Sequence, residues 1–432
     1  MIFTLEVLKA FEGDCLLLHW GDRANPRLAI IDGGPGSTYE NHLRKRLDEI
    51  VEARNGGPID VEFAMVSHVD NDHIVGIDKL FGVLRSEVQN NKARPLRVKR
   101  LWHNTFDDIV GNKLDAHFQA FTAAFTASAE GGLPPDAVEP IAKRLEEELG
   151  DKDEAEHIAY DISMVLAGHK EGRNLRDKHA YLRQQNAIGE LNAPFSLGGH
   201  GTLITAQRTP EPIELNGLKI HIVGPREEEI EALQAAFDEY LLEKGLATAE
   251  AALAAYADTS VPNLSSIVCM VSVKIGGKMR TMLLTGDARG DHMIEGLRKA
   301  DYLDGSAEEH LHVDILKVPH HGSDRNVRAD FFEQISADTY VLSANGKHGN
   351  PDRPVIEWII ASRDKEDDYH IVLTYPVAAL DQKREEVRGA KWDRETESLE
   401  ILFKKCRDEG YNFKVTTDAP MPLELGDETI NW

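Results

Sequence analysis

The stretch Val61-Glu62-Phe63-Ala64-Met65-Val66-Ser67-His68-Val69-Asp70-Asn71-Asp72-His73 decides how the rest of the chain is read. Val61 to Val66 is a short apolar run of the buried-strand type, and it passes directly into four candidate metal ligands, His68, Asp70, Asp72 and His73, within six residues. Ile74-Val75-Gly76-Ile77 follows, so the polar group sits between two apolar anchors rather than on a solvated loop. Imidazole and carboxylate are the usual ligands of zinc and manganese. Clustered where a strand leaves its sheet, they can converge on one or two divalent ions.

Toward the N-terminus, TLEVLKAF, CLLLHW and RLAIID read as strands separated by Gly-Asp and Asn-Pro punctuation, the third stopping at Asp32-Gly33-Gly34. Helical spacing covers residues 39 to 53. Toward the C-terminus, the text from about Asn104 to His200 turns polar, alanine-rich and glutamate-rich, and predicts a helical insertion near the mouth of the site. Strand signals resume at TLITAQR and at IELNGLKIHIV, where Asn216-Gly217 marks a hairpin. A second hairpin turns at Gly276-Gly277 and ends in Leu283-Leu284-Thr285-Gly286-Asp287. VDILKVPHHGS and DTYVLSANGKH each read as a strand ending in a polar loop, and the signals weaken from Glu366 onward. Strands alternating with helices predict an α/β layered fold.

Composition narrows the function classes. The 432 residues carry 49 Lys+Arg against 74 Asp+Glu, a net charge of −25, which argues against nonspecific wrapping of duplex nucleic acid. The densest basic run, Lys92 to Arg100, is expected to be a solvated face. Cys15, Cys269 and Cys406 are odd in number and far apart, which fits a reducing compartment. The N-terminus lacks signal-peptide features, and no run approaches the ~20 apolar residues of a membrane span. A soluble cytoplasmic protein without membrane contact is expected.

The HxDxDH string from His68 to His73 resembles the metal motif of the metallo-β-lactamase fold superfamily, in the variant found in competence proteins of the ComEC type. Further elements resemble that family in the same order: Asp32 in Ile31-Asp32-Gly33-Gly34, Asp287 after Thr285-Gly286, Lys317-Val318-Pro319-His320-His321-Gly322-Ser323, and Ser343 to Pro351 around His348. The resemblance implies an αββα sandwich, interrupted here by the helical text of 104–200, which the resemblance does not cover. Its halves would span 1–103 and 201–365, the insertion 104–200, and a C-terminal extension packed on the core 366–432. It implies metal ligation by His68, Asp70, Asp72, His73, Asp287, His320, His321 and His348, with Asp287 bridging two ions and Asp32 bracing the metal loop. Ser323, Arg325 and Arg328 would contact substrate.

Two departures stand out. Asp70 occupies a position where many relatives have His, and the IELNGLKIHIV hairpin ends in Gly224-Pro225 where many have another His. His103 and His200 are the spatial candidates for that missing nitrogen. Asp70 hardens the site and favours manganese or weakly held zinc. On an extended backbone, His320 and His321 would point opposite ways, so one is expected to bind metal and the other to act as an acid or hydrogen-bond donor. Asp72, His320 and His321 are thus the candidate catalytic residues. A hydroxide bridging two such ions attacks phosphoryl or acyl groups; two divalent ions in a negative protein favour an anionic substrate, and the resemblance implies the same, a metal-dependent phosphodiesterase or nuclease acting on nucleic acid or a nucleotide. The competing readings are a lactone, thioester or carbon-ester hydrolase of the same fold and a non-catalytic regulatory protein; a protein partner or activator is compatible with each.

Overall fold

Leu16, Leu18 and Trp20 face one buried core and Leu17 faces another, so a single strand serves two hydrophobic layers. The computed structural model in which this is seen describes residues 1–104, 143, 171–196, 203–231 and 265–430. The first sheet runs β15 (Met421–Glu424), β1 (Ile2–Val7), β2 (Leu16–Gly21), β3 (Pro26–Ile31), β4 (Ile59–Val66) and β5 (Leu96–Val98), with β6 (Leu101–His103) also paired to β4. The second runs β14 (Phe413–Thr417), β13 (Tyr369–Leu373), β12 (Ile335–Leu342), β11 (Leu311–Lys317), β10 (Lys278–Leu284), β9 (Val268–Ile275), β8 (Leu218–Gly224) and β7 (Ile213–Leu215).

One core lies between the sheets, where Phe3, Leu18, Trp20 and Phe63 share a cluster with Ile220, Val271, Met282 and Val341. A second lies outside the first sheet under helices α1 (Arg44–Ala53) and α2 (Asn71–Gln89), and a third outside the second sheet under helices Gly290–Lys299, Arg353–Ala361 and Leu399–Asp408. The layer order is helix, sheet, sheet, helix, and the chain is a mixed α/β protein. Both predicted hairpins form. Asn216 and Gly217, and likewise Gly276 and Gly277, have positive φ, as a two-residue turn matched to strand twist requires.

β3, β4 and β6 are parallel in the first sheet, and β10, β11 and β12 in the second, so their C-terminal ends lie at common edges. Asp32, His68, Asp287, His320 and Ser343 all lie just beyond such ends. This is where ligands bind in open α/β sheets.

Two expectations need correction. TLITAQR forms no strand over residues 203–208. Residues 366–432 are not an extension laid on a finished core: β13 and β14 continue the second sheet and β15 pairs with β1. The cause of the misreading is that these strands are only four or five residues long and β15 contains a proline, Pro422. The basic run from Lys92 to Arg100 is the partly exposed face expected, with Arg97, Lys99 and Arg100 paired to Asp60 and Glu62. Most of the 104–200 insertion lies outside the described residues. Its described end, the helix over 171–184 (α3), packs Leu175 and Leu182 into the core beneath α2, and Lys178 binds Asp78 of α2. The three cysteines are buried free thiols, and no described helix is long and apolar enough to cross a membrane.

Candidate metal centre

Two close backbone approaches create the frame of the site. Gly33 faces Gly76 on the first turns of α2 so tightly that a Cβ on Gly33 would lie 2.4 Å from the Ile77 nitrogen. The tight packing lets Asp32, in the left-handed region at φ 57°, reach under the loop from Ser67 to His73. Its Oδ1 accepts the Ser67 amide at 2.7 Å, and its Oδ2 accepts the Ser67 hydroxyl at 2.7 Å and His73 Nδ1–H at 2.9 Å. Asp70 is the N-cap residue of α2 yet makes no side-chain capping bond, so its carboxylate is directed elsewhere.

Four imidazoles close on one carboxylate oxygen. Asp287 Oδ2 lies 3.3 Å from His73 Nε2, 3.2 Å from His321 Nε2, and 3.8 Å from both His68 Nε2 and His320 Nε2. Acceptors behind the rings fix which nitrogen faces inward. His73 donates from Nδ1 to Asp32, and His321 from Nδ1 to the Ser343 carbonyl at 2.8 Å. His320 Nδ1 bonds Asn326 Oδ1, whose amide is oriented by donating to the Asp287 carbonyl at 2.9 Å. The Ser67 hydroxyl gives its proton to Asp32, leaving a lone pair for His68 Nδ1–H at 3.1 Å. Each ring therefore carries its hydrogen on Nδ1 and presents Nε2 to Asp287, the arrangement found behind metal-ligating histidines.

The spacing fits a cation. His73 Nε2 and His321 Nε2 are 3.3 Å apart and form a near-equilateral triangle with Asp287 Oδ2. Bonds of the usual zinc length in a tetrahedron give ligand-to-ligand edges of about 3.3–3.4 Å. Asp72 Oδ2 adjoins this triangle, 3.3 Å from His321 Nε2 and 3.8 Å from His73 Nε2. On the other side of Asp287, Asp70 Oδ2 is 3.4 Å from His68 Nε2. His68 Nε2, Asp70 Oδ1 and Asp287 Oδ1 are buried atoms without a hydrogen-bond partner, a costly state that coordination would relieve.

Electrostatics agree. Burial pushes the Asp287 carboxyl up, but His321, His73 and His320 outweigh it and hold it well below the usual range. Asp72 falls to about 2 because His73 and His321 overcome its desolvation. Burial disfavours charge on His73 and His321, yet the surrounding carboxylates, Asp287 foremost, raise both well above the ordinary imidazole value.

Two features depart from expectation. His320 and His321 are not extended: both adopt left-handed backbone, φ 45° and 57°, which turns both rings toward Asp287 instead of to opposite sides. Such conformations cost about 1–3 kcal/mol each and persist where the surroundings impose them. His348 is half-buried on the loop after β12 and is not among the imidazoles gathered at Asp287 Oδ2. His103 lies at the end of β6, its ring near Gly172 and Ile74, and is outside the cluster, while His200 lies outside the described residues. Ser323 is buried beneath the His321 loop, whereas Arg325 and Arg328 are exposed and make no ion pair among the described residues.

Sequence reading missed Asp14. Asp14, His73, Asp287 and His321 form a buried group in which one potential ligand atom from each lies within 4.8 Å of the others. Asp14 approaches the Nδ1 side of the rings, 3.6 Å from His321 and 4.0 Å from His73, and its Oδ2 is ion-paired with Lys317 Nζ at 2.7 Å. It therefore stands behind the ligands. The signal was a lone lysine in the apolar strand VDILKV, which burial obliges to find a carboxylate. No family model matches this chain, and no curated protein is significantly similar to it.

Proposed function

We propose that the chain is a metal-dependent hydrolase of the metallo-β-lactamase fold that cleaves a phosphodiester in nucleic acid or a nucleotide. The observation that carries this reading is the convergence of four Nδ1-anchored imidazoles on Asp287 Oδ2 at the C-terminal ends of parallel strands. His73, His321, Asp287 and Asp72 would hold one divalent ion, and His68, Asp70 and Asp287, with His320 beside them, a second of zinc or manganese type. Such ions supply an activated water and neutralise charge developing on a phosphoryl oxygen.

The protein's own groups set the approach. Side-chain exposure is 0% at His68 and His73 and 2% at Asp287, but 14% at Asp70 and Asp72 and 19% at His320, so the cluster opens on the side of these last three. His320 is the ring of the adjacent pair that a substrate can reach; with its hydrogen on Nδ1 and burial lowering its pKa, its free Nε2 would serve as a ligand or proton acceptor rather than as a proton donor to the leaving oxygen. Arg325 and Arg328 follow the same loop and offer guanidinium groups suited to phosphate. In a chain of net charge −25, these arginines and the bound metal are the features that favour an anionic substrate.

The test is metal analysis of the purified protein followed by a cleavage panel of single-stranded and duplex DNA, RNA, cyclic nucleotides, lactones and thioesters. Activity should vanish with chelator and return preferentially with manganese, on phosphodiesters. Ready cleavage of lactones or thioesters, with every phosphodiester left intact, would overturn the substrate assignment.

A further inference from the structure

Behind the imidazoles lies a buried ion pair that no step of the proposed reaction uses. Asp14 and Lys317 are each at most 1% exposed; Lys317 Nζ is ion-paired with Asp14 Oδ2 at 2.7 Å and donates a hydrogen bond to the Val318 carbonyl at 3.1 Å. The loop that carries Asp14 touches three others of the site. A Cβ on Gly13 would lie 1.8 Å from the Asp72 carbonyl oxygen, so only glycine permits the contact. The Asp14 amide donates to that carbonyl at 3.3 Å, and the Ser343 hydroxyl donates to the Gly13 carbonyl at 2.7 Å. Ser343 in turn supplies the carbonyl that accepts His321 Nδ1–H.

Asp14 Oδ1 is buried without a hydrogen-bond partner, and it faces His321 Nδ1 at 3.6 Å. A carboxylate placed behind a ligating imidazole makes the ring a stronger electron donor to a cation on the opposite nitrogen. A lysine on that carboxylate opposes the effect, because its positive charge is buried close to the same ring and is weakly screened.

We propose that Asp14 and Lys317 are positioning residues acting in opposite senses on the metal position held by His73 and His321: Asp14 strengthens it and Lys317 tempers it. The inference rests on the metal-site reading given above. Neither residue is a ligand. Asp14 stands on the Nδ1 side of both rings, and one of its oxygens is committed to Lys317.

The experiment titrates full-length wild type, Asp14→Asn and Lys317→Met with Co2+ against a chromophoric chelator, recording affinity, stoichiometry and the absorption spectrum of bound cobalt. Wild type should bind cobalt. Asp14→Asn should weaken one position by about 10- to 100-fold, with a changed cobalt spectrum. Lys317→Met should bind at least as tightly as wild type. A purely structural role predicts losses of similar size in both variants, and that result, or an unchanged Asp14→Asn, would overturn the inference. If Lys317→Met does not fold, Lys317→Arg keeps the charge and should bind as wild type does; a loss matching that of Asp14→Asn would then overturn it. Wild type that binds no cobalt would instead refute the metal reading itself.

Discussion

Asp287 is the residue on which the centre depends, because its Oδ2 is the shared neighbour of four Nε2 atoms. Asp287→Asn keeps the shape and removes the charge. It should abolish retention of metal through gel filtration while far-UV circular dichroism stays native. Asp72→Ala should abolish turnover with the fold intact, since its partly exposed carboxylate contributes no core packing. Asp32→Asn acts one step back. An amide accepts on one side only, so either the Ser67 amide or both the Ser67 hydroxyl and His73 Nδ1 meet an NH2 in place of an acceptor. Metal affinity should fall by about 10- to 100-fold and stability by about 1–3 kcal/mol, measured by chelator competition and by urea unfolding. At this scale the residues gathered at Asp287 were legible because the loops that carry them follow apolar strands. Asp14 was not, because Gly13-Asp14 between two strands has the chemistry of an ordinary turn. The directions of His320 and His321 were misjudged because nothing in Pro319-His320-His321-Gly322 announces left-handed backbone at two non-glycine residues.

At the scale of elements, the metal loop is only as firm as the docking of α2 on the loop after β3. Gly76→Ala would bring a Cβ to 2.0 Å from the Gly33 carbonyl oxygen, with backbone on both sides and no flexible side chain to yield. The variant should lose about 1–3 kcal/mol or more and bind metal weakly, whereas Gly36→Ala, with nothing within 4 Å, should do neither. The junction of β6 with α3 carries a different signature. His103 is fully buried, neither ring nitrogen has a partner among the described residues, and desolvation, helped by Arg176 and His179, depresses its pKa to about 3. Because the folded value lies below the unfolded one of about 6.5, the unfolded chain binds a proton that the folded chain refuses. The contribution of neutral His103 is complete above that pH and is lost as pH falls toward 3. His103→Asn should therefore flatten the acid side of the stability curve by up to about 1.4 kcal/mol per pH unit, read from urea unfolding between pH 6 and pH 4. Hairpins at Asn216-Gly217 and Gly276-Gly277 were legible from turn chemistry. β13, β14 and β15 were not, since short strands completed by distant partners carry little local pattern.

For the whole molecule, a metal at the proposed site would offset the repulsion that the net charge exerts on anions. A protein of net charge −25 repels polyanions, so binding to single-stranded DNA should be undetectable with chelator and appear with manganese. If Arg325 and Arg328 supply the phosphate contacts, log K should fall against log salt with a slope of about −1.4, from two contacts on a single strand. Arg325→Ala/Arg328→Ala should remove most of that dependence, as measured by fluorescence anisotropy. The central claim is that one carboxylate gathers histidines from separate strand ends around a divalent ion. Anomalous diffraction at the metal edge, from crystals grown with manganese or zinc, tests it most directly. The predicted result is a peak within about 2.0–2.2 Å of Asp287 Oδ2, His73 Nε2 and His321 Nε2. A metal-soaked crystal with no peak there, and with His73 and His321 still paired directly to Asp287, would contradict it.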